Sequence, residues 1–573
     1  MFRDSYKQSL LDCSGDNDSW CHFGLIAKTS GARVTVKVTN DALLSEVTVG
    51  SYLVVSTGDY GLLGQIEILE TASGSNRANA TRAEMRLINS INLTDGETIL
   101  GVAKAANPGD EVFIAPAEVI KMLLQGDQEI ANEKVVFSLA TVEGQENTSL
   151  AVTPEMMFSR HLAILGATGG GKSYTVAKLI EESCSFNSKM VLFDPTGEFS
   201  SLNKGARHIH LGYASDTRPG SVEVALPYFQ LRESDLFAIF RPTGESQAPK
   251  LRAAIKSLKL SLLQPNLSLD GLIMKANRTK VQYETAYQQY YPIVENHLAE
   301  FDITRLARQI INECVHPTRS PTEPFVWGDV SASDQANCVP LINRIQDAIQ
   351  SKHLACVFNP GDRPSLFEEI DVFMADSEAR VLVISLADLS FANHAREIVA
   401  NATGRHLLEV ARRGQFKKQP LVVMVDEAHH FLSEKLLSED NDYPLNAFAL
   451  IAKEGRKYGL NICLATQRPR DIPEDVLSQM GTMIVHRLIN ENDRRVVESA
   501  CGSIDTGAVA QLPILSPGQA MITGVSFPAP ILIRVKAPLA RPKSDGPNYQ
   551  GCWSVEGEEE PRNSFPTEVI EFR

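Results

Sequence analysis

The rhythm of apolar positions changes twice along this chain. The first 145 residues carry short alternating runs: ARVTVKV (Ala32–Val38), SYLVVST (Ser51–Thr57), GQIEILE (Gly64–Glu70), EVFIAP (Glu111–Pro116) and KVVFSLATV (Lys134–Val142). Apolar–polar alternation with β-branched residues is the period of a half-buried strand. Gly-Asp, Pro-Gly-Asp and Asp-Gly-Glu punctuate the runs as turns. Several short strands joined by turns predict a small β-barrel over residues 1–145.

From about Leu162 the runs become continuously apolar. LAIL before a glycine-rich loop, KMVLFDP (Lys189–Pro195), RVLVISLADL (Arg380–Leu389), LVVMVDEA (Leu421–Ala428), NICLATQ (Asn461–Gln467) and TMIVHRL (Thr482–Leu488) read as buried strands. Such strands alternating with helical patterns predict an α/β domain, a parallel sheet covered on both faces. Between them lie SDLFAIF, KLRAAIKSLKLSLL and TRLARQIINECV, which have the period of amphipathic helices. The expected layout is a sheet domain over 146–217 and 371–541, a helical insertion over 218–370, and a polar tail over 542–573.

The chemistry starts at the first of these strands. Gly166-Ala167-Thr168-Gly169-Gly170-Gly171-Lys172-Ser173 matches G-x-x-x-x-G-K-[ST] between a predicted strand and a predicted helix. The glycines let consecutive backbone N–H groups wrap a phosphate, and the helix N-terminus adds its positive dipole end. Lys172 suits β- and γ-phosphate charge, Ser173 suits Mg²⁺, and Tyr174 follows them on the helix. The expected ligands are therefore ATP and Mg²⁺.

Asp426 and Glu427 end the strand VVMV, at the end of a parallel sheet where ligands bind. Asp426 suits metal binding through water, and Glu427 suits orienting or deprotonating an attacking water. Gln467 ends another strand; it either touches the γ-phosphate or the lytic water, or is an exposed strand-end side chain. Asp194 and Glu198, in DPTGEF, are each either a second acid near the metal or a turn residue.

Bulk properties narrow the class. The 573 residues are 43% hydrophobic and 22% charged, ordinary for a globular chain with a large core. No apolar run reaches the length of a membrane span, so no membrane association is expected. The N-terminal stretch lacks the apolar core of a signal peptide, and the nine cysteines are scattered without metal spacing. That usage fits a reducing compartment, so a cytoplasmic location is expected. A net charge of −15 argues against a general nucleic-acid coat, yet leaves room for a locally basic channel. ARRGQFKK (Ala411–Lys418) is the densest basic run, and reads better as a solvated helix end than as a DNA contact.

The letters D-E-A-H at Asp426–His429 spell the name of a helicase class with two tandem lobes per chain. Here there is one P-loop, one sheet domain and no glycine–arginine signature of a second lobe. RHLAILGATGGGKS, VLFDPTGEF, VDEAHHFL, EGRKYGLNICLATQRPRDIP and LSPGQAMITG together resemble the HerA family instead, over roughly Gly24 to Ala537. The resemblance implies a RecA-like P-loop ATPase domain with a helical insertion, preceded by a small N-terminal β-barrel. It implies a homohexamer that hydrolyses ATP with Mg²⁺ and moves on double-stranded DNA. It also implies a nuclease or other effector partner, with antiphage defence or DNA end processing as the setting. Arg456, in EGRKYG, resembles the family's arginine finger, and Arg160 resembles a second arginine near the nucleotide; each is otherwise a solvated charge. Arg468 and Arg487 rank lower. The finger has a physical basis: one such domain leaves a side of the γ-phosphate open, and a neighbour's guanidinium fits that charge. The competing expectation is a ring scaffold, stabilised by ATP, that activates an effector without processive movement. A conjugation- or secretion-type coupling ATPase is a third reading, for which the usual membrane anchor is not visible.

Overall fold

The structure is a computed structural model; it describes residues 20–45, 47, 50–72, 80–92, 98–114, 133–143, 149–212, 220–389, 394–432, 445–501, 506–527, 530–543 and 549–553. Its first strands are β1 (Cys21–Ser30), β2 (Arg33–Val38), β3 (Tyr52–Thr57), β4 (Tyr60–Ala72), β5 (Ala80–Asn92), β6 (Thr98–Leu100) and β7 (Glu111–Ile114). They form an antiparallel sheet ordered β2-β1-β7-β3-β4-β5-β6, and pairing of β2 with β5 closes six of them into a barrel. Closure removes the exposed strand edges. Alternation sets the two faces: Leu53 and Val55 of β3 fill the barrel, while Tyr52 and Val54 pack outward against the next domain.

Strands β1 and β5 were not expected. In β5, ATRAEMRLINSIN, residues Ala83, Met85 and Leu87 are buried, with charged residues between them. The alternation is present, but Ala, Met, Glu and Arg are strong helix formers, so propensity masks the period.

The second sheet has twelve strands: β8 (Phe137–Val142), β9 (Ser149–Val152), β10 (Leu162–Leu165), β11 (Lys189–Asp194), β12 (Ala206–His210), β13 (Ser221–Glu223), β14 (Val381–Ser385), β15 (Leu421–Val425), β16 (Leu460–Thr466), β17 (Thr482–Val485), β18 (Gln519–Gly524) and β19 (Ile531–Val535). Their order is β13-β12-β14-β11-β15-β16-β10-β17-β18-β19-β8-β9. From β13 to β17 neighbours are parallel, and from β17 to β9 they are antiparallel. The expected parallel sheet therefore carries an antiparallel extension. Strand β8, grouped by its alternation with the barrel, belongs to that extension, because it pairs with β19. Alternation shows only that one face is buried, not which partner buries it.

Both faces of the parallel part are covered. Val191 and Phe193 of β11 face one core, and Met190 and Leu192 face the other. The second core holds α1 (Lys172–Ser183) through Val176, Leu179 and Ile180. The first holds most of the helices between β13 and β14: α2 (Glu233–Phe240), α3 (Gly244–Leu263), α5 (Leu306–Glu313), α6 (Ala332–Gln350) and α7 (Leu366–Ala375), while α4 (Lys280–Gln289) packs through Ala286 in a small separate cluster with Leu260, Ile273 and Val294. Phe237, Leu251, Ile310, Leu341 and Phe373 share that core with the sheet, so the helical segment is a layer of the sheet domain rather than an appendage. Two features blur its expected limits of 218–370: β13 pairs within the sheet, and α7 runs on to Ala375. Ser365 and Glu368 form a capping box that starts α7.

The basic run Ala411–Lys418 ends α8 (Ala395–Arg412). Phe416 anchors it in the core, Arg412 pairs with Glu454, and Lys417 and Lys418 are exposed, as a solvated helix end requires. Among the described residues no helix is long and apolar enough to cross a membrane. Most of the tail after 542 lies outside the described residues.

Candidate functional site

β10 stops at Leu165 and α1 starts at Lys172, so the whole glycine motif is the turn between them. Gly169 and Gly171 have φ of 76° and 112°, a region that side-chain-bearing residues rarely adopt. Gly166 is needed for packing: a Cβ there would lie 2.6 Å from Cβ of His486. A cavity of about 540 Å³ opens over the loop, within the usual range for a small-molecule site. Ala167, Thr168, Gly169, Gly171, Lys172, Ser173, Tyr174, Glu427 and Gln467 all line it, while Gly166 and Gly170 lie beneath, packed on His486. Residues that follow β15 and β16 thus meet the P-loop and α1, although 255 positions separate Lys172 from Glu427 and 299 separate Thr168 from Gln467.

Lys172 is buried, and its Nζ lies 3.1 Å from Asp426 Oδ1 and 2.9 Å from Glu427 Oε1. Burial disfavours its charge, but the two carboxylates together outweigh burial and raise its pKa. Burial raises the pKa of Asp426 despite the ammonium, and the adjacent Glu427 adds to the rise. Glu427 itself sits in the left-handed region, at φ 45° and ψ 46°. Such strain in a residue other than glycine clusters at functional sites.

One lysine faces several acids here. Asp426 Oδ2, Glu427 Oε2 and Glu198 Oε2 are buried and lack hydrogen-bond partners. Unpaired buried carboxylate oxygens fit a site that takes a cation and its waters. No group of three or more His, Cys, Asp or Glu among the described residues forms a metal cage by itself. Mg²⁺ keeps several waters and takes phosphate oxygens rather than an all-protein shell. The residues present therefore fit Mg²⁺, with Ser173 and Asp426 as the candidates to hold it.

The two open readings in DPTGEF separate. Asp194 accepts N–H groups from Gly197 at 2.7 Å, Phe199 at 3.0 Å and Glu198 at 3.2 Å, so it is the turn's cap. Burial pushes its pKa up to about 6, against the pull of those donors. Glu198 instead lines the cavity, interacting with the Ser173 hydroxyl.

His429 is buried. Its Nδ1 lies 3.2 Å from Thr466 Oγ1 and 3.3 Å from Glu427 Oε2. The second approach lacks hydrogen-bond alignment, so Thr466 is the bonded partner. Thr466 Oγ1 also accepts the Arg468 N–H at 3.0 Å, and the neighbouring Gln467 accepts from the Thr168 hydroxyl. His429 and the Arg468 N–H thus meet at the Thr466 hydroxyl at the end of β16, and Gln467 beside it reaches the P-loop at Thr168. Burial, with His430 next to it, lowers the His429 pKa to about 4, so the ring is neutral.

Four contributors were not read from the sequence. His486 is fully buried beneath the loop; its Nε2 lies 2.8 Å from Thr175 Oγ1, its Nδ1 2.9 Å from Gln519 O, and burial lowers its pKa to about 4. Gly518 brings its N–H to the Gly170 carbonyl at 3.2 Å. Arg534 and Lys536 line the far cavity wall; Arg534 pairs with Glu143, and Lys536 reaches Ser149 at 3.0 Å. The only sequence signal for any of them was the Pro-Gly of LSPGQAMITG, quoted without a role.

Arg160 and Arg456 lie elsewhere. Both are exposed and line one cavity of about 520 Å³ with Gly481 and Gln479. Arg160 precedes β10 and Arg456 precedes β16, so both sit at the strand ends opposite the P-loop. Gly459, with φ 78°, closes the turn that carries Arg456; a Cβ there would meet the Phe416 carbonyl at 2.3 Å. Neither arginine has a carboxylate partner among the described residues. Arg468 approaches Asp471 at 3.7 Å, and Arg487 donates to the Pro513 carbonyl at 3.1 Å, so both are locally engaged.

A glycine loop between a parallel strand and a helix, with an acid pair at the next strand end but one, defines a P-loop ATPase of helicase type. Residues 138–319 match "Helicase HerA, central domain" and residues 406–526 match "Helicase HerA-like C-terminal". The chain belongs to the HerA helicase family. The DNA double-strand break repair helicase HerA of Saccharolobus solfataricus is 24% identical over 418 residues, covering 70% of this chain and 69% of that one. The probable helicase MJECL08 of Methanocaldococcus jannaschii is 23% identical over 521 residues, covering 88% and 89%. Among solved structures, the plasmid coupling protein TrwB in complex with ADP and Mg²⁺ is similar with a TM-score of 0.43 and 15% identity, covering 73% of this chain and 93% of that one.

Proposed function

We propose that this chain is an ATP-driven translocase on double-stranded DNA, working as a homohexameric ring beside a nuclease or other effector protein. The observation that carries the ring is the placement of Arg160 and Arg456. Both sit at the strand ends opposite their own P-loop, exposed and without acidic partners among the described residues. A neighbouring copy of the chain that stacks this face on a P-loop brings a guanidinium to the γ-phosphate, where such a group in trans raises turnover about 10³–10⁵-fold. The family relatives named as DNA double-strand break repair helicases support DNA as the track.

In this reading the P-loop N–H groups and Lys172 bind the ATP phosphates. The triphosphate competes with Asp426 and Glu427 for the Lys172 ammonium. Mg²⁺, held through Ser173 and Asp426, supplies neutralisation of charge on the β- and γ-phosphates. Glu427, released from Lys172, accepts a proton from the attacking water. His429 fixes the Glu427 segment against Thr466, and Gln467 carries the state of the γ-phosphate towards Thr168. Arg456 of the next subunit completes the site.

Steady-state ATPase rates with and without long duplex DNA test this, together with particle imaging for the ring. Duplex-stimulated turnover by a six-membered ring is expected. Turnover indifferent to duplex, with effector activity retained in Glu427→Gln, supports the alternative of an ATP-stabilised scaffold.

A further inference from the structure

Glu198 is the acid in the nucleotide cavity that the phosphate- and water-handling roles above do not use. Its backbone is fixed twice. Asp194 caps the turn 196–199 through the N–H groups of Gly197, Glu198 and Phe199. The Glu198 carbonyl accepts the Lys543 N–H at 2.8 Å, and Phe199 is fully buried. The side chain is therefore presented by a rigid turn, not by a loose loop.

Glu198 and Ser173 line the same cavity, and Glu198 Oε2 is buried with no partner. Leaving a carboxylate oxygen dry and unpaired is costly unless a donor arrives with the ligand. Lys172 is already shared by Asp426 and Glu427 and does not satisfy it. Ser173 presents one hydrogen and two lone pairs. A hydroxyl that donates its hydrogen to Glu198 has its lone pairs turned away from Glu198, towards the phosphate side of the cavity. Mg²⁺ retains waters, and each of those waters is a strong donor to an outer carboxylate.

We propose that Glu198 is an outer-sphere partner of the nucleotide-bound Mg²⁺: it accepts the Ser173 hydroxyl hydrogen, aiming Ser173 at the metal, and takes a metal-bound water on Oε2. This rests on the reading of the cavity as an Mg²⁺–ATP site and adds to it a positioning residue supplied by the DPTGEF turn.

The test is equilibrium binding of a fluorescent ATP analogue to the full chain, in Mg²⁺ and in EDTA. Wild type, Glu198→Gln and Glu198→Ala are compared. The quantity read is the gain in affinity that Mg²⁺ gives, which does not depend on hydrolysis. Loss of outer-shell metal partners costs roughly 10–100-fold in metal affinity. Both variants are expected to lose that share of the Mg²⁺ gain while binding the analogue in EDTA as wild type does. A full Mg²⁺ gain in Glu198→Gln overturns the proposal. So does an equal loss in Mg²⁺ and EDTA, which marks a general effect on the turn. If wild type shows no binding in either condition, the reading of the cavity fails first; if wild type gains from Mg²⁺ and the variants gain equally, only the role of Glu198 fails.

Discussion

Lys172 Nζ lies 2.9 Å from Glu427 Oε1, so the lysine of the glycine loop also holds the acid at the end of β15. The same ammonium is 3.1 Å from Asp426 Oδ1. In the proposed mechanism triphosphate binding and release of the acid pair are one event: phosphates draw Lys172 away, and Glu427 becomes free to accept a proton.

Lys172→Ala is expected to abolish nucleotide binding and also to destabilise the fold. Removing one member of a buried charge pair costs about 3 kcal/mol or more, because the partner stays buried and unpaired. Thermal denaturation should show a lowered midpoint, partly restored by Lys172→Ala with Asp426→Asn. A single variant as stable as wild type would show that the contact adds nothing to folding.

Glu427→Gln keeps an acceptor for Lys172 but cannot take a proton from water. ATP binding is expected to persist while single-turnover hydrolysis drops by roughly 10²–10⁴-fold. Hydrolysis near the wild-type rate would move the general base elsewhere.

His429→Ala is expected to lower kcat about tenfold with little change in KM, since one hydrogen bond to Thr466 is lost and no phosphate contact is removed. An effect on KM alone would place His429 in binding rather than in positioning Glu427.

Acid should destabilise the protein through its buried histidines. His161, His429 and His486 have pKa values lowered by burial to about 4, below the ordinary 6.5. Between those values the unfolded chain binds protons that the folded chain refuses, so stability falls as pH drops from 6.5 towards 4. Asp194, raised to about 6, and Asp426 and Glu198, also raised by burial, work in the opposite direction, as the folded chain gains their protons first, but they are three groups against five histidines, since burial lowers His297 and His406 as well. The urea midpoint should be lower at pH 5 than at pH 7, and the difference should shrink in His486→Gln. An equal or higher midpoint at pH 5 would contradict this.

What was legible in the sequence was contiguous. Gly166–Ser173 and Asp426–Glu427 each bring their chemistry within one short segment at a strand end, so spacing alone exposes them. His486 beneath Gly166 arises from the ends of β17 and β10, adjacent in the sheet but distant in the chain, while Glu198 reaches the cavity of Ser173 from the end of β11, with β15 and β16 between it and β10 in the sheet; no local period encodes either placement. The barrel was legible as alternation, yet β5 was hidden by helix-forming residues, and β8 was assigned to the wrong sheet because its pattern does not name its partner. Asp194 and Glu198 looked equivalent in DPTGEF; only the direction of the backbone N–H groups separates a cap from a cavity acid.

In the proposed ring Arg456 acts across a subunit boundary. Arg456→Ala and Glu427→Gln proteins are each expected to assemble and to be nearly inactive. Mixed in equal amounts, about a quarter of randomly assorted interfaces pair an intact acid with an intact arginine, so ATPase activity should return and peak near that ratio. Mixed rings that assemble but stay inactive at every ratio would contradict an arginine supplied in trans.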